Sequence, residues 1–406
     1  MNRSIIRLLL ITGTLAATVF AQEKKPAPAG GHKSATTTGH KSPTTLPAVV
    51  EPPDRSVLLA RDPSVQKELG LMSDQIKAVG ELMDATDAQL WTVNPLPPAE
   101  GAEKARGILD GAEAKLKAIL KPGQQARFRE ITLQYQGLPA VLRPELSAEF
   151  NLTDEQRRDI RTDVDKTVRA FAKLDEMLRS GQSREVNEKT AKAVRKELRG
   201  KIMDILTADQ KTTWARLVGK PFDFTQIKKL NLKAPEFCDT GQWINSPPLT
   251  LAGLRGHVVI VHFYTFACAN CIHNYPAYKA WTTTLVPKGV TIVGIHTPET
   301  PAERELKAVQ AKARENGLRF PILVDSDKKN WDAWGNGMWP AVYVIDKQGY
   351  VRYWWFGELN GEKVQGQAVL AKLIDGLLAE EATPTGSTAD STTSPRRHGD
   401  TENAKN

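Results

Sequence analysis

The three cysteines of the chain, Cys238, Cys268 and Cys271, are its candidates for redox or metal chemistry. Cys268 and Cys271 enclose Ala269 and Asn270, which is the C-x-x-C spacing both of redox dithiols and of half a zinc site. A closed zinc site needs four ligands, and beyond this pair the chain offers one cysteine and scattered histidines. The spacing therefore favours thiol–disulfide exchange by a redox-active disulfide, with no metal and no other cofactor. Cys238 is interpreted as an unpaired thiol, with pairing to another chain or to the dithiol as alternatives.

A strand and a helix are predicted on either side of the dithiol. Residues 258–263 are almost continuously apolar, as in a buried strand, and 269–284 have helical character. Unpaired amides and the helix dipole at a helix N-terminus stabilise a thiolate. We therefore expect Cys268 to be the attacking thiolate. Cys271, about one turn further on, is expected to be more buried and to resolve the mixed disulfide.

Strands and helices alternate along the chain from about residue 233. Further strands are predicted at 290–295, 322–324, 341–345 and 351–356, the last two joined by a turn at 346–349. Further helices are predicted near 302–316 and 366–379. This order predicts an α/β fold in which helices flank both faces of a mixed sheet.

The segment around the dithiol, residues 263–276, resembles the exported TlpA/ResA-type branch of the thioredoxin family, and within it the DipZ-type domains. Matching motifs occur in the same order at 234–237, 249–256, 294–299 and 339–346. The resemblance spans roughly residues 233–379 and implies a thioredoxin-like fold with thiol–disulfide oxidoreductase activity. It also implies protein thiols or disulfides as substrates, and reduction as the favoured direction. A reductase outside the cytoplasm would need a membrane or exported thiol as electron donor.

The resemblance assigns further residues to the site. Pro340 corresponds to the cis-proline that faces the dithiol, and Trp339 before it is expected to line the substrate groove. Three positions depart from the family pattern: His262 and Asn274 stand where relatives carry acids, and Ala267 stands where many relatives carry Trp. His262 is a candidate for proton transfer, since imidazole titrates near physiological pH, with a hydrogen-bonded core histidine as the alternative. Glu299 is the second candidate for proton transfer.

The N-terminus is typical of a secretory signal peptide. Residues 1–21 combine early arginines with an apolar stretch and end in a small-x-small pattern. We expect export to the periplasm, with an uncleaved membrane anchor as the alternative. Residues 22–55 and 380–406 are rich in Pro, Gly, Ser and Thr, which predicts a disordered linker and a disordered tail.

Residues 56–219 are predicted to be an all-helical domain, because apolar residues recur at helical spacing. The segment carries duplicated helix-start motifs, with 69–75 resembling 150–156 and 119–124 resembling 205–210. These motifs weakly resemble the Leu-Thr-x-x-Gln repeats of Spy/CpxP-type helical proteins. They are interpreted as helix caps, and a non-catalytic chaperone or stress-sensing binding protein is the alternative function for the chain.

The formal net charge of +8 does not indicate a nucleic-acid partner. Basic residues alternate with acidic ones along the helical segments, for example at 157–159 and 195–197. Such alternation is typical of a solvated helix face rather than a nucleic-acid site. The distribution of charge therefore argues against DNA or RNA binding. It does not indicate an oligomeric state.

Overall fold

The computed structural model describes residues 53–179, 184–227, 230–362 and 364–380. The predicted signal peptide, residues 22–52 of the predicted linker and residues 381–406 of the predicted tail lie outside the described residues. None of the helices within the described ranges is both long enough and apolar enough to cross a membrane.

The described residues between 56 and 218 are predominantly helical, which confirms the predicted class of this region. The α-helices are α1 (Pro63–Glu68), α2 (Ser73–Trp91), α3 (Pro98–Ile119), α4 (Pro122–Gln136), α5 (Pro144–Glu149), α6 (Asp154–Arg179), α7 (Arg184–Ile205) and α8 (Ala208–Val218). Short 3-10 helices lie at Ser56–Arg61, Leu138–Leu142 and Phe224–Gln226. We call residues 56–219 the helical region.

The remainder, residues 233–379, forms the sheet domain. Its strands are β1 (Trp243–Ile244), β2 (Val258–Tyr264), β3 (Val290–His296), β4 (Ile322–Val324), β5 (Ala341–Ile345), β6 (Val351–Phe356), β7 (Asn360–Gly361) and β8 (Val364–Gln365). Its α-helices are α9 (Ala269–Thr284), α10 (Leu306–Glu315), α11 (Lys329–Ala333) and α12 (Gly366–Ala379). Short 3-10 helices lie at Val286–Lys288 and Pro301–Glu303.

Six strands form one mixed sheet in the order β1-β4-β3-β2-β5-β6. The central strand β2 pairs in parallel with β3 and antiparallel with β5, and the ends of β2 and β3 meet the start of β5 at one edge. This confirms the predicted thioredoxin-like fold, a mixed sheet with flanking helices. The elements that the sequence analysis omitted are short: β1, β7 and β8 have two residues each and α11 has five. Elements of this length show too little periodicity to be recognised.

Side chains alternate along β2 between two hydrophobic cores. Val258 and Ile260 pack with α9, α10 and α12 on the face that we call the dithiol-helix face. Val259, Val261 and Phe263 point to the opposite face. Because each strand residue is buried on one side or the other, the strand is an almost unbroken apolar run.

The first half of the helical region covers that opposite face of the sheet. The Trp91 ring at the end of α2 lies 5.7 Å from the ring centroids of both Trp334 and Tyr343. The Trp91 indole also donates a hydrogen bond to the Lys233 backbone oxygen at 2.8 Å. The helical residues of this shared core include Val57, Leu58, Leu59, Val79, Met83, Leu90, Leu109, Leu116, Phe128 and Ile131.

A buried ion pair joins the helical region to the start of the sheet domain. Arg61 donates to both oxygens of Asp87, at 2.8 Å and 2.7 Å, and to the backbone oxygen of Asn231 at 3.0 Å. Asp87 also accepts the backbone amide of Lys233 at 2.9 Å. The segment that leads into the sheet domain is therefore held by charged groups of the helical region.

The second half of the helical region has a separate core. This core is formed by Leu133, Leu138, Val141, Leu146, Phe150, Leu152, Ile160, Val164, Val168, Leu198, Ile202, Leu206 and Leu217. Leu178, near the end of α6, is not part of this core and packs instead into the core of the dithiol-helix face.

The duplicated motifs place two glutamines side by side in each half of the helical region. In the first half, Gln75 donates to Gln124 at 2.9 Å, and their side-chain oxygens accept the backbone amides of Met72 and Lys121. We call this arrangement the glutamine pair. It ties the beginning of α2 to the beginning of α4.

The second half repeats the glutamine pair with Gln156 and Gln210, which are joined at 2.9 Å. Here the hydroxyl groups of Thr153 and Thr207 also accept the amides of Gln156 and Gln210, which completes two capping boxes. The first half lacks these hydroxyls. Met72 and Lys121 are the N-cap residues there.

Candidate active site around the dithiol

Cys268 and Cys271 lie at the beginning of α9, directly after β2. Cys268 is the N-cap residue, and its sulfur accepts the backbone amide of Cys271 at 3.4 Å. Cys268 is half-buried and Cys271 is fully buried, and both are free thiols. One sulfur therefore reaches solvent with the other directly behind it.

The pKa values of the two thiols are shifted in opposite directions. A hydrogen bond from Cys271 and backbone amides lower the pKa of Cys268 to about 7, while burial and the charge of Glu299 oppose this shift. Burial and the hydrogen bond to Cys268 raise the pKa of Cys271 far above its ordinary value, although a backbone hydrogen bond from Thr265 lowers it. At neutral pH about half of Cys268 is therefore a thiolate, whereas Cys271 is a protonated thiol.

Pro340 lies at the same edge of the sheet as the dithiol. It directly precedes β5, whose first residue Ala341 pairs with Phe263 near the end of β2. The peptide bond between Trp339 and Pro340 is cis. Trp339 is half-buried, stacks on Trp331 with ring centroids 4.0 Å apart, and donates through its indole to a backbone oxygen at 3.2 Å.

His262 lies inside the dithiol-helix face. Its ring is fully buried and stacks on Tyr278 with a centroid distance of 3.9 Å. Neither ring nitrogen has a hydrogen-bond partner among the described residues. Burial lowers the pKa of His262 to about 3, so the imidazole is neutral at physiological pH.

Asn274, where relatives carry an acid, is buried, and its side chain links α9 to the segment that follows β6. Its amide nitrogen donates to the Gly357 backbone oxygen at 3.1 Å, and its side-chain oxygen accepts the Leu359 amide at 2.7 Å. An ionised acid could not donate the first of these bonds. Glu299, by contrast, is exposed after β3. Its charge contributes to raising the pKa of Cys271 and opposes the net lowering of the pKa of Cys268.

A buried acid that the sequence analysis did not consider, Glu303, lies beside the dithiol. Its carboxylate accepts hydrogen bonds from the Thr265 hydroxyl and from the Ala267 amide, the latter at 3.0 Å. The signal in the sequence is Thr300-Pro-Ala-Glu303, a capping-box pattern. The pattern predicts the bonds between Thr300 and Glu303, at 2.7 and 3.0 Å, but not those to the segment before Cys268.

Cys238 is a half-buried free thiol away from the dithiol in the chain. Its backbone is held by Asn330, which accepts the Cys238 amide and donates to its carbonyl, both at 2.9 Å. Burial and nearby Asp325 raise the pKa of the Cys238 thiol. In the part of the chain that the structure describes, no three His, Cys, Asp or Glu side chains are grouped as metal ligands would be.

Residues 230–354 match the model of the AhpC/TSA family. DipZ of Mycobacterium tuberculosis is 35% identical over 128 residues, which are 31% of this chain and 18% of DipZ. The thiol-disulfide oxidoreductase ResA of Bacillus thuringiensis is 28% identical over 145 residues, 35% of this chain and 80% of ResA. This chain therefore covers less than a fifth of the length of DipZ, whereas it covers most of ResA.

Among solved structures, a thiol-disulfide isomerase from Corynebacterium glutamicum has 27% sequence identity and a TM-score of 0.31, with 36% of this chain and 98% of that chain covered. The family match, the relatives and the topology of the sheet concern the same part of the chain. Residues 230–354 are therefore similar to the AhpC/TSA family, and the relatives support a thioredoxin-like domain of the TlpA/ResA-type branch.

Proposed function

We propose that the chain is an exported thiol–disulfide oxidoreductase whose reacting groups are Cys268 and Cys271. The observation that carries this proposal is the position of the two thiols: half-buried Cys268 caps the beginning of α9 and accepts the amide of fully buried Cys271. The opposite directions of their pKa shifts agree with this position, because the pKa of Cys268 is lowered and that of Cys271 is raised. A nucleophilic thiolate with a protonated thiol behind it is the arrangement that dithiol exchange requires.

In the proposed reaction the Cys268 thiolate attacks one sulfur of a client disulfide. A bond forms between Cys268 and that sulfur, and the other client sulfur leaves as a thiolate that takes up a proton. Cys271 then loses its proton and attacks the Cys268 sulfur, which releases the second client thiol. Two electrons and two protons pass from the dithiol to the client, and the reaction needs no cofactor besides the dithiol.

The proton of Cys271 needs an acceptor, and we propose Glu299 rather than His262. Glu299 is exposed, and its charge influences the pKa of both cysteines. His262 is buried without a hydrogen-bond partner among the described residues, and its pKa is lowered to about 3. These surroundings support the role of a core residue for His262.

The proposed client groove has an apolar rim. Trp339 and Pro340 form one side of it, and Ile272 and Met338 are large apolar residues that are 42% and 41% exposed. An extended client segment with apolar side chains near its disulfide fits such a rim.

Reduction of client disulfides is the proposed direction, and the periplasm is the proposed location. The resemblance of residues 263–276 to the TlpA/ResA-type branch favours the direction, and the signal-like residues 1–21 support export. A reductase in that compartment has to be re-reduced, so we propose a membrane or exported thiol protein as electron donor. Titration against glutathione tests the direction, because a reductase should have a potential below about −200 mV.

The exchange activity is tested by turnover of insulin disulfides with dithiothreitol as donor. We expect Cys268→Ser to abolish the enzyme-dependent rate and Cys238→Ser, the matched control, to retain it. Cys271→Ser should accumulate a mixed disulfide through Cys268, which mass spectrometry detects. A folded Cys268→Ser variant with the wild-type rate would exclude the proposed function.

A further inference from the structure

Glu303 is a buried carboxylate that the exchange steps do not use. Only 1% of the residue is exposed, although it comes from the short 3-10 helix that follows β3. Burying a charged group is unfavourable unless hydrogen bonds or an opposite charge replace the lost water. The surroundings of Glu303 must therefore supply that replacement.

Five hydrogen bonds to the two carboxylate oxygens replace the water. Oε1 accepts from the Thr265 hydroxyl and from the Ala267 amide at 3.0 Å. Oε2 accepts from the amides of Glu299 and Thr300, at 3.0 and 2.7 Å, and from the Thr300 hydroxyl at 3.0 Å. Burial alone would raise the pKa of Glu303, but these bonds outweigh it and the pKa is lowered. The group is thus a carboxylate at neutral pH.

The titratable neighbours of Glu303 do not neutralise it. His296 is buried beside it, and burial lowers the pKa of His296 to about 4 despite the carboxylate. Burial, mainly, raises the pKa of Tyr275, so that the phenol is neutral. The hydrogen bonds to the Glu303 carboxylate that the described residues supply come from Thr265, Ala267, Glu299 and Thr300, none of which is Lys or Arg. The carboxylate is therefore held by hydrogen bonds to uncharged groups.

Each oxygen of Glu303 binds a different segment of the site. Oε1 binds residues 265 and 267, the segment between β2 and Cys268. Oε2 binds residues 299 and 300, in the segment that follows β3. Thr265 in turn provides a backbone hydrogen bond to the sulfur of Cys271. One carboxylate thus links both cysteines to the segment that carries Glu299.

We propose that Glu303 is a positioning residue of the dithiol, which fixes residues 265–267 so that Cys268 stays at the amides of the α9 N-terminus. The inference rests on the proposed function and deepens it. Two acceptor oxygens are necessary, because a single acceptor can hold only one of the two segments. Glu303→Gln keeps the size but presents an NH₂ group to donors on one side, so one segment should be released.

The test measures the rate of Cys268 alkylation by iodoacetamide against pH, in full-length Cys238→Ser protein. Glu303→Gln and Glu303→Ala should raise the midpoint, because Cys268 moves away from the stabilising amides. A rise of about one unit from about 7 slows alkylation at pH 7 about fivefold. The control Glu305→Gln removes an exposed carboxylate two residues away and should leave the midpoint unchanged.

A second pair of variants tests the same link from the other side. Thr265→Val removes the hydroxyl that binds Glu303 at nearly constant volume, and Thr265→Ser keeps it. We expect Thr265→Val to raise the alkylation midpoint and Thr265→Ser to restore the wild-type value. This readout is independent of fold stability, provided that circular dichroism verifies the folded state of each variant.

Two results would overturn the positioning role. An unchanged midpoint in folded Glu303→Gln and Thr265→Val would leave Glu303 a purely structural residue. A lowered midpoint in both Glu303 variants would mean that its charge, not its position, governs Cys268. Alkylation by iodoacetamide needs no disulfide exchange, so a failure of the proposed function appears only in insulin turnover and is distinguishable.

Discussion

The pKa of Cys268 is lowered by groups within three residues of it in the chain. The Cys271 thiol and the amides of Asn270 and Cys271 all favour the Cys268 thiolate. The surroundings of the dithiol are otherwise unfavourable to charge, since burial and Glu299 act in the opposite direction. The lowered pKa is therefore the net result of local hydrogen bonds against a partly buried, acidic neighbourhood.

We expect alkylation of Cys268 in a Cys238→Ser background to rise through a midpoint near pH 7, because the pKa of Cys268 is lowered to about 7. Above this pH the thiolate predominates, and below it the thiol. Cys271→Ser replaces the donating thiol and should shift the midpoint. Iodoacetamide rates measured from pH 5 to 9 check both, and a wild-type midpoint at the ordinary value of about 8.5 would contradict the assignment.

His262 predicts a pH dependence of stability. Its pKa is lowered to about 3 in the folded chain, against about 6.5 in the unfolded chain. Below pH 6.5 the unfolded state therefore binds a proton that the folded state does not. The free energy of unfolding should fall with decreasing pH, with a contribution of up to about 1.4 kcal/mol per pH unit from this residue.

Replacing His262 with Phe should flatten this dependence between pH 4 and 6.5 by about one proton, as measured by urea unfolding. The slope is informative even if the larger ring changes the absolute stability. His257→Phe, at an exposed position, is the control and should keep the wild-type slope. If the free energy of unfolding of the His262→Phe variant depends on pH as steeply as that of the wild type, His262 is not a buried neutral base.

Helices α2 and α4 begin where the side chains of Gln75 and Gln124 meet. Gln75 is 8% exposed and binds Gln124, the Ile119 oxygen and the Met72 amide. These bonds satisfy backbone groups at helix ends, which have no partner within their own helix. The glutamines of the motifs that resemble Leu-Thr-x-x-Gln thus have a structural role, because they join the beginnings of two helices.

Gln75→Ala should lower the free energy of unfolding by about 1–3 kcal/mol, because it leaves several polar groups without partners. The control Gln89→Ala, at an exposed position on the same helix, should change it by less than about 0.5 kcal/mol. Urea unfolding followed by far-ultraviolet circular dichroism measures both. If the two substitutions lowered the free energy of unfolding equally, the proposed structural role of the glutamine pair would be wrong.

At the scale of the whole molecule, the helical region and the sheet domain are joined by a hydrophobic core and a buried charge. Trp91, Trp334 and Tyr343 form aromatic contacts across the junction. Asp87 binds both Arg61 and the Lys233 amide there. Removing the helical region would uncover this face of the sheet, so any role of the helical region in the exchange activity is better tested by surface substitutions than by deletion.

Two aspartates of α2 provide a matched test of the junction. Asp87→Ala leaves Arg61 buried without its partner and should cost about 3–5 kcal/mol. Asp84 also binds Lys233, through the side-chain nitrogen at 2.6 Å, but its side chain is 54% exposed. Asp84→Ala should therefore cost less than about 1 kcal/mol. Thermal unfolding of both variants measures the difference, and similar losses would mean that Asp87 does not hold the junction.

The sequence by itself determined the C-x-x-C spacing, the main strands, the helical class of residues 56–219 and the duplication of helix starts. The predicted strands at 322–324, 341–345 and 351–356 have those bounds in the structure. Such features depend on contiguous residues, whose spacing and apolar pattern are visible without a fold. Strand β1 and helix α11 were missed because they depend on neighbours rather than on local pattern.

Tertiary structure alone decided which distant residues share a site or a core. Glu303 reaches Thr265 across 38 positions, and Trp91 reaches Lys233 across 142. His262 illustrates the same point: its residue type suggested proton transfer, but burial without a partner among the described residues makes it a neutral ring. Burial and hydrogen bonding set a side chain's charge, and both depend on packing between elements far apart in the chain.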